Sequence, residues 1–187
     1  MIKKGITYGL PAEVWPRDYQ RVEYSLMFMR KKRIPVKVTL NDGSTFSMYV
    51  SGLKSERHKL DLCPTPFDQE NRIRLPLKRV SLIESGIAKE EIDSSFRGKL
   101  TVCSDNNNYI ASRRDFFRIC RKSYREKKSL RIFLSDGRVI EGVSRGVDGC
   151  SVTLRLEKDS DDRQRQLIVF FDWVERIIAF KQDDKNV

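Results

Sequence analysis

The 187-residue chain has little histidine, and its cysteines lack the spacing of metal or disulfide sites. His58 is the single histidine, so any mechanism that needs a histidine pair is excluded. The four cysteines are scattered without a CxxC pair, which favours reduced thiols that serve as small apolar side chains. No apolar run approaches the ~20 residues that cross a bilayer, and no apolar stretch follows the basic N-terminus. We therefore expect a cytoplasmic protein without membrane contact, metal or cofactor.

Common catalytic motifs are missing as well. The sequence contains no phosphate-binding glycine loop and no serine, histidine and aspartate set. Three separated aspartates, Asp61, Asp148 and Asp172, are more typical of turns and ion pairs than of an acid–base pair. The sequence therefore predicts that the protein is not an enzyme.

Positive charge is abundant and unevenly distributed. The formal net charge is +11, and two short segments hold nearly all of the excess. Residues 17–33 carry six cationic side chains against two anionic ones, and residues 112–128 carry eight against two. Such clustering favours an electrostatic binding surface, although solvated helix faces remain the plain alternative.

The chain repeats one pattern at an offset of 94 residues. Residues 34–83 and 128–177 both run from an alternating apolar segment into a turn, Asn41-Asp42-Gly43 in one copy and Ser135-Asp136-Gly137 in the other. Later apolar positions also correspond: Leu53, Leu60, Leu62, Val80 and Ile83 fall on Val147, Leu154, Leu156, Val174 and Ile177. A constant offset of this kind indicates one structural unit used twice.

Each copy predicts a helix followed by about five short strands. Apolar spacings of three and four predict helices before each copy, and Pro35 ends the first. Alternation around the glycine turns predicts antiparallel hairpins. We expect a mainly β protein of two small, bent, five-stranded SH3-like barrels, each preceded by an α-helix. The predicted division is a first domain over 13–86, a linker over 87–109, a second domain over 110–181 and a tail over 182–187.

The segment from Phe28 to Gly43 resembles the start of the bacterial RNA chaperone Hfq, a member of the Sm/LSm superfamily. It has a helix that ends in a basic cluster, a Val-type strand after Pro35 and an Asn-Asp-Gly hairpin. The second copy is similar in its basic helix end, in Asp136-Gly137 and in Gly142. The resemblance covers residues 22–84 and 118–178. It implies two Sm-like barrels, an RNA partner and self-association into a ring, such as three copies of the tandem chain.

The resemblance also implies binding residues. The family's RNA-binding rim corresponds to Arg30, Lys31 and Arg33 in the first copy and to Arg125, Lys127 and Lys128 in the second. Cationic side chains at a rim suit phosphates, because binding releases counterions. Weaker candidates are Lys78 at the family's uridine pocket, Phe133 at its base-stacking position, and Arg114, Arg118 and Arg121 on the second helix. Most other base-reading positions of the family are replaced.

Two further classes remain open. Arg17 with Arg21 and Arg114 with Arg118 have the RxxxR spacing of PilZ domains, which bind cyclic dinucleotides, but the accompanying strand motif is incomplete. A protein-interaction scaffold is the other class, with the aromatic-rich second domain as a partner surface. The preferred prediction is a non-catalytic, Hfq-like protein that binds RNA mainly at its rim and acts in post-transcriptional regulation or RNA–protein assembly.

Overall fold

A computed structural model describes residues 19–103, 116–158 and 162–181. The protein is mainly β, with a helix before each set of strands, as predicted. In chain order, the elements of these ranges are α1 Gln20–Lys32, β1 Pro35–Leu40, β2 Thr45–Lys54, β3 Lys59–Cys63, β4 Arg72–Pro76, β5 Val80–Ser85, β6 Lys99–Thr101, α2 Phe117–Arg125, β7 Ser129–Leu134, β8 Val139–Val147, β9 Ser151–Arg155, β10 Gln166–Phe170 and β11 Val174–Phe180. The first unit is α1 with β1–β5, and the second unit is α2 with β7–β11.

The described strands form one sheet of eleven strands, in the order β11-β7-β8-β9-β10-β5-β1-β2-β3-β4-β6. The expected pair of separate barrels is therefore not what the structure shows. The two units are joined where β10 pairs antiparallel with β5, from Gln166 opposite Ser85 to Val169 opposite Leu82. The sequence did not predict this junction, because strand alternation does not reveal which distant strand lies alongside.

The two units share their turn geometry in detail. Gly43 and Gly137 both have a φ of 87°, the left-handed conformation that glycine adopts without steric cost. The residue after each glycine makes the same hydrogen bond in both units. The Ser44 amide donates to the Asp42 carboxylate, and the Arg138 amide donates to the Asp136 carboxylate. The predicted hairpins are confirmed, and the repeat holds at the level of single hydrogen bonds.

The repeat offset changes in the third strand of each unit. Leu62 pairs with Ile73 in β4. The residue 94 positions after Ile73 is Leu167 in β10, and it pairs with Leu154, so Leu154 is the structural equivalent of Leu62. That offset is 92, so the predicted match of Leu62 with Leu156 is wrong. The turn before β9 is shorter than the turn before β3, and the following loop is longer, which restores the offset of 94 at β10.

The hydrophobic core crosses the boundary between the units. One cluster surrounds Leu26 and Val38 of the first unit and also contains Ile168 and Phe170 of the second. The other cluster lies mainly in the second unit and contains Leu82 of β5. Packing thus reinforces the β10–β5 pairing, and the two units bury one another's apolar side chains.

The remaining predicted elements follow the structure where it describes them. Within the linker, the sequence also predicts a strand over Lys99–Cys103 and a helical turn over Lys89–Ile92. The structure has β6 at Lys99–Thr101 and a 3₁₀ turn at Lys89–Glu91. The sequence also predicts that the first helix starts at Arg17 and that Ser112 caps the second helix, and both positions lie outside the described residues. No helix in the described ranges is both long and apolar enough to cross a membrane.

Candidate functional site

The end of α1 brings four cationic side chains together. Arg30, Lys31, Lys32 and Arg33 are all exposed, and none forms an ion pair with a described residue. Their position at a helix C-terminus is favourable, because the helix dipole places partial negative charge there. We call these four residues the first cationic cluster.

Backbone geometry fixes the turn that carries Arg33. Arg33 has a φ of 55°, and its amide donates to the Arg30 carbonyl at 3.1 Å. The amide of Ile34 donates to the Met29 carbonyl at 2.9 Å. These two bonds form a Schellman-type helix end, whose left-handed position usually holds glycine. Arginine occupies it here, so a long cationic side chain is present at some backbone cost.

The end of α2 has the same backbone and less available charge. Lys127 has a φ of 54°, and the Lys128 amide donates to the Ser123 carbonyl at 2.9 Å. Glu126 stands where the first unit has Lys32, and its carboxylate lies 2.6 Å from the Lys128 ammonium. The hydrogen bond from Lys128 holds the pKa of Glu126 below its ordinary value. The second cluster, Arg125, Lys127 and Lys128, is therefore partly neutralised.

A pocket of about 410 Å³ adjoins the first cationic cluster. Its lining includes Arg30, Lys31 and Arg33 from the helix end, Ser51 from β2, and Phe67 and Gln69 from the loop after β3. The Arg33 guanidinium carbon lies 4.4 Å from the centre of the Phe67 ring, within cation–π distance. Phe67 is still 70% exposed, so the ring presents apolar surface to solvent beside the cations.

Asp68 organises the loop that carries Phe67. Its carboxylate accepts hydrogen bonds from the amides of Glu70 and Asn71 and from the Asn71 side chain. The Asn71 hydrogen bonds hold the pKa of Asp68 below its ordinary value. Asn71 in turn accepts a hydrogen bond from the Gly98 amide at 2.7 Å. Phe67 is thereby placed on an ordered loop that is also bonded to the segment before β6.

The weaker predicted candidates are scattered. Lys78 is exposed in the 3₁₀ turn between β4 and β5. Phe133 is half-buried, and the Arg176 guanidinium already covers its ring at 4.1 Å. Arg118 and Arg121 are exposed on α2, and Arg114 lies outside the described residues. Among the predicted site residues, Arg30, Lys31 and Arg33 line the pocket described above.

Sequence reasoning missed Phe67 and the role of Arg21. An aromatic residue in a polar loop has no periodicity that would single it out, although Phe67 follows Pro66 and precedes an acid. Arg21 donates a hydrogen bond from its guanidinium to the Val147 carbonyl at 3.2 Å. Arg21 therefore joins the two units, and this structural contact accounts for half of the first RxxxR pair.

The remaining polar groups of the described ranges give no sign of metal or thiol chemistry. They hold no group of three or more His, Cys, Asp or Glu side chains that would bind a metal ion. Burial raises the pKa of the Cys63 thiol, which keeps it protonated and unreactive. Asp61 accepts two hydrogen bonds from Arg74, at 2.7 and 2.8 Å, as an ordinary ion-pair partner.

Comparison with known proteins identifies one family along nearly the whole chain. A family model described as repressor of phase-1 flagellin matches residues 5–177. Among curated proteins, repressors of the phase 1 flagellin gene from Salmonella abony and Salmonella typhimurium are 31% and 29% identical over 182 residues, covering 96% of each chain. The one from Salmonella abortus-equi is 30% identical over 177 residues, covering 93% of each chain. No solved structure matches the chain.

These matches overturn the expected family. The prediction of a tandem Sm/LSm protein acting as an Hfq-like RNA chaperone is wrong, since the full-length match is to flagellin repressors. The motifs behind it, a basic helix end and a glycine hairpin, are short and specify local structure rather than a family. Neither the PilZ-like function nor the scaffold function finds support among the relatives.

Proposed function

Because the chain belongs to the family of repressors of phase-1 flagellin, we propose that it represses the expression of a flagellin gene. It does so by binding, without catalysis, in the cytoplasm. The observation that supports a binding mechanism is the first cationic cluster beside the exposed Phe67. The surface offers cationic groups for phosphates and one open aromatic face.

RNA is the partner that we propose for this surface. Repression of a gene requires contact with its DNA, its transcript or a protein that serves them, and phosphates attract clustered cations in either nucleic acid. An exposed aromatic ring adds a preference, because unpaired bases stack on it whereas paired bases are already stacked. Phe67 beside Arg33 therefore favours a single-stranded transcript over duplex DNA.

The helix-end cations of the first unit are more available to phosphates than those of the second. Arg30, Lys31 and Arg33 have no described acid paired to them, whereas Glu126 lies against Lys128 in the second unit. A cation that is already paired gains less from a phosphate, since it must give up an existing partner. We propose that the first cationic cluster makes the principal phosphate contacts and that the second cluster contributes weakly.

Reporter fusions test the function and the partner together. In cells without their own copy of this gene, one reporter is fused to the flagellin promoter alone and another also carries the transcribed leader and first codons. We expect the chain to lower only the second reporter, because the leader is present only in its transcript. Replacing three of the four residues of the first cationic cluster, as Arg30→Ala and Lys31→Ala together with Arg33→Gly, should abolish the effect.

The other outcomes of the reporter experiment distinguish the partner from the function. Repression of both reporters would point to DNA and overturn the RNA partner while leaving the repressor function in place. Repression of neither would overturn the proposed function. A matched control is Arg125→Ala with Lys127→Gly, which changes the equivalents of Lys31 and Arg33 at the second helix end and should leave most of the repression.

The finer architecture is also a proposal. We propose that each unit is a bent five-stranded barrel and that the predicted bounds, 13–86 and 110–181, delimit them. Irregular registers support bending, since β1 shifts against β5 after Thr39 and β2 shifts against β3 after Val50. A protein partner on the second unit remains a prediction.

A further inference from the structure

The junction between the units is an ordinary antiparallel strand pairing. Gln166, Leu167, Ile168 and Val169 of β10 lie opposite Ser85, Glu84, Ile83 and Leu82 of β5. An ion pair flanks it, with the Arg165 guanidinium 2.7 Å from the Glu84 carboxylate. The repeat therefore already contains one example of how two such units are joined.

The 94-residue repeat identifies the strands that would pair in the same way between two separate copies of the chain. Subtracting 94 from the β10 residues gives Arg72 to Leu75 of β4, and adding 94 to the β5 residues gives Arg176 to Ala179 of β11. In that pairing, Arg72 lies opposite Ala179 and Ile73 lies opposite Ile178 of another copy. In the described sheet β11 lies at one end, and its pairing is with β7.

The β4 edge is occupied by β6. The pairing is parallel, with Arg72, Ile73 and Arg74 opposite Lys99, Leu100 and Thr101. The Arg72 amide donates to the Gly98 carbonyl at 3.0 Å, and the Val102 amide donates to the Arg74 carbonyl at 2.8 Å. Three of the four β4 residues that would receive a second copy are thus covered by the chain's own linker.

β6 covers backbone and buries almost nothing. All three of its residues are exposed, and Leu100 remains 43% exposed. A three-residue strand with no buried side chain adds little core stability. Its evident effect is to supply hydrogen-bond partners to an edge that would otherwise pair with another chain, a hazard that proteins commonly manage by covering the edge.

The opposite edge retains the apolar character that pairing needs. Ile178 of β11 is 38% exposed, and it is the residue placed opposite Ile73. The match ends at Ala179, because Phe180 stands where the first unit has Gly86. A Cβ at Gly86 would lie 2.7 Å from the Gln164 carbonyl oxygen, so the junction tolerates no side chain there. A pairing between copies is therefore limited to four residues.

We propose that β6 is a covering strand that keeps β4 from accepting β11 of a second copy of this chain. When β6 is paired with β4, the sheet stops at β6. When β6 is displaced, β4 of one copy pairs with β11 of the next, and the copies join head to tail. If three copies joined in this way and the last paired with the first, they would form the predicted ring, and β6 prevents that assembly. This proposal does not depend on the RNA partner.

The test is the mass of purified full-length variants, measured by sedimentation over a wide range of concentration. In a parallel ladder with these two bonds, the Leu100 amide points to β4, so Leu100→Pro removes a hydrogen bond and displaces β6. Wild type and the control Leu100→Ser, which keeps the amide, should remain single copies. Leu100→Pro should at least double in mass. Adding Ile178→Lys should reverse this, because the lysine would lie directly opposite Ile73, a fully buried apolar side chain on the same face of the sheet.

A second variant covers the case in which Leu100→Pro does not fold. Asn71→Ala removes the 2.7 Å bond to the Gly98 amide, loosens β6 and leaves the core unchanged. It should associate at the highest concentrations. Single copies for both folded variants, or wild-type protein that already associates through the β4 edge, would overturn the proposal.

Discussion

The guanidinium of Arg21 fills the space in which any residue but glycine at position 146 would carry its Cβ. Arg21 belongs to α1 of the first unit, and Gly146 lies in β8 of the second, next to the Val147 carbonyl that the guanidinium reaches. The same position in the first unit, Gly52, has only Asp61 atoms nearby, the nearest at 3.8 Å. One glycine of the repeat thus serves the inter-unit contact and the other does not.

Gly146→Ala should therefore destabilise the protein, because Arg21 must leave its position and its hydrogen bond is lost. We expect a decrease of at most about 1 kcal/mol in the free energy of unfolding, because the obstructing atoms are the end of an exposed arginine side chain that can move aside, and one exposed hydrogen bond is lost. Urea denaturation followed by circular dichroism measures it. Gly52→Ala is the matched control and should change stability little. In combination with Arg21→Ala, the Gly146→Ala change should cost much less, and additive effects would contradict the contact.

Removing three of the four cations of the first cationic cluster should weaken RNA binding and its salt dependence together. The variant Arg30→Ala, Lys31→Ala and Arg33→Gly takes away three cations, and glycine relieves the left-handed backbone at position 33. For a single-stranded flagellin leader, the slope of log affinity against log salt should flatten by about 2. Fluorescence anisotropy at several salt concentrations measures both quantities. An unchanged slope would remove this cluster from the binding surface.

Phe67→Ala should weaken binding to single-stranded RNA and leave the salt slope unchanged. Loss of one stacked base corresponds to about 1–3 kcal/mol of binding free energy, whereas no phosphate contact is removed. Phe67→Tyr should retain most of the affinity, because it keeps the ring. Tyr24→Ala is a suitable control, since Tyr24 is 77% exposed on α1 and is not part of the pocket lining. Equal losses for single-stranded and duplex RNA would argue against stacking.

Stability should fall on acidification through the second hairpin turn. A hydrogen bond from the Arg138 side chain holds the pKa of Asp136 below its ordinary value of 3.8. A depressed pKa in the folded state adds stability above the unfolded pKa, and that stability is lost as the pH falls through the folded pKa. Asp136→Asn keeps an acceptor for the Arg138 amide and removes the charge. Urea unfolding between neutral and strongly acidic pH should show a weaker decline for the variant than for wild type.

Local chemistry predicted much of the fold. The Asn-Asp-Gly and Ser-Asp-Gly turns fixed both hairpins, and Pro35 and the apolar spacing placed the end of α1 correctly. The match of Leu60 and Leu62 with Leu154 and Leu156 failed for a physical reason. Strand side chains alternate with a period of two, so a shift of two residues preserves the apolar pattern and cannot be detected from it.

Contacts between distant parts of the chain could not be predicted from the sequence pattern. The β10–β5 junction depends on which edges meet, and Arg21 reaches Val147 across more than a hundred residues. The helix-end cations were singled out from the sequence, and the structure adds the pocket and Phe67 beside them. The family prediction failed because it used short motifs, whereas the flagellin repressors match along nearly the whole length.

The exchange of core residues between the units also bears on whether either half of the chain can fold alone. Phe170 fills the first cluster and Leu82 contributes to the second, so each half now depends on the other to complete its interior. A fragment that ends at residue 103 would lose Ile168 and Phe170 and present β5 as a bare apolar edge. The two copies of the repeat are therefore interdependent parts of one folding unit.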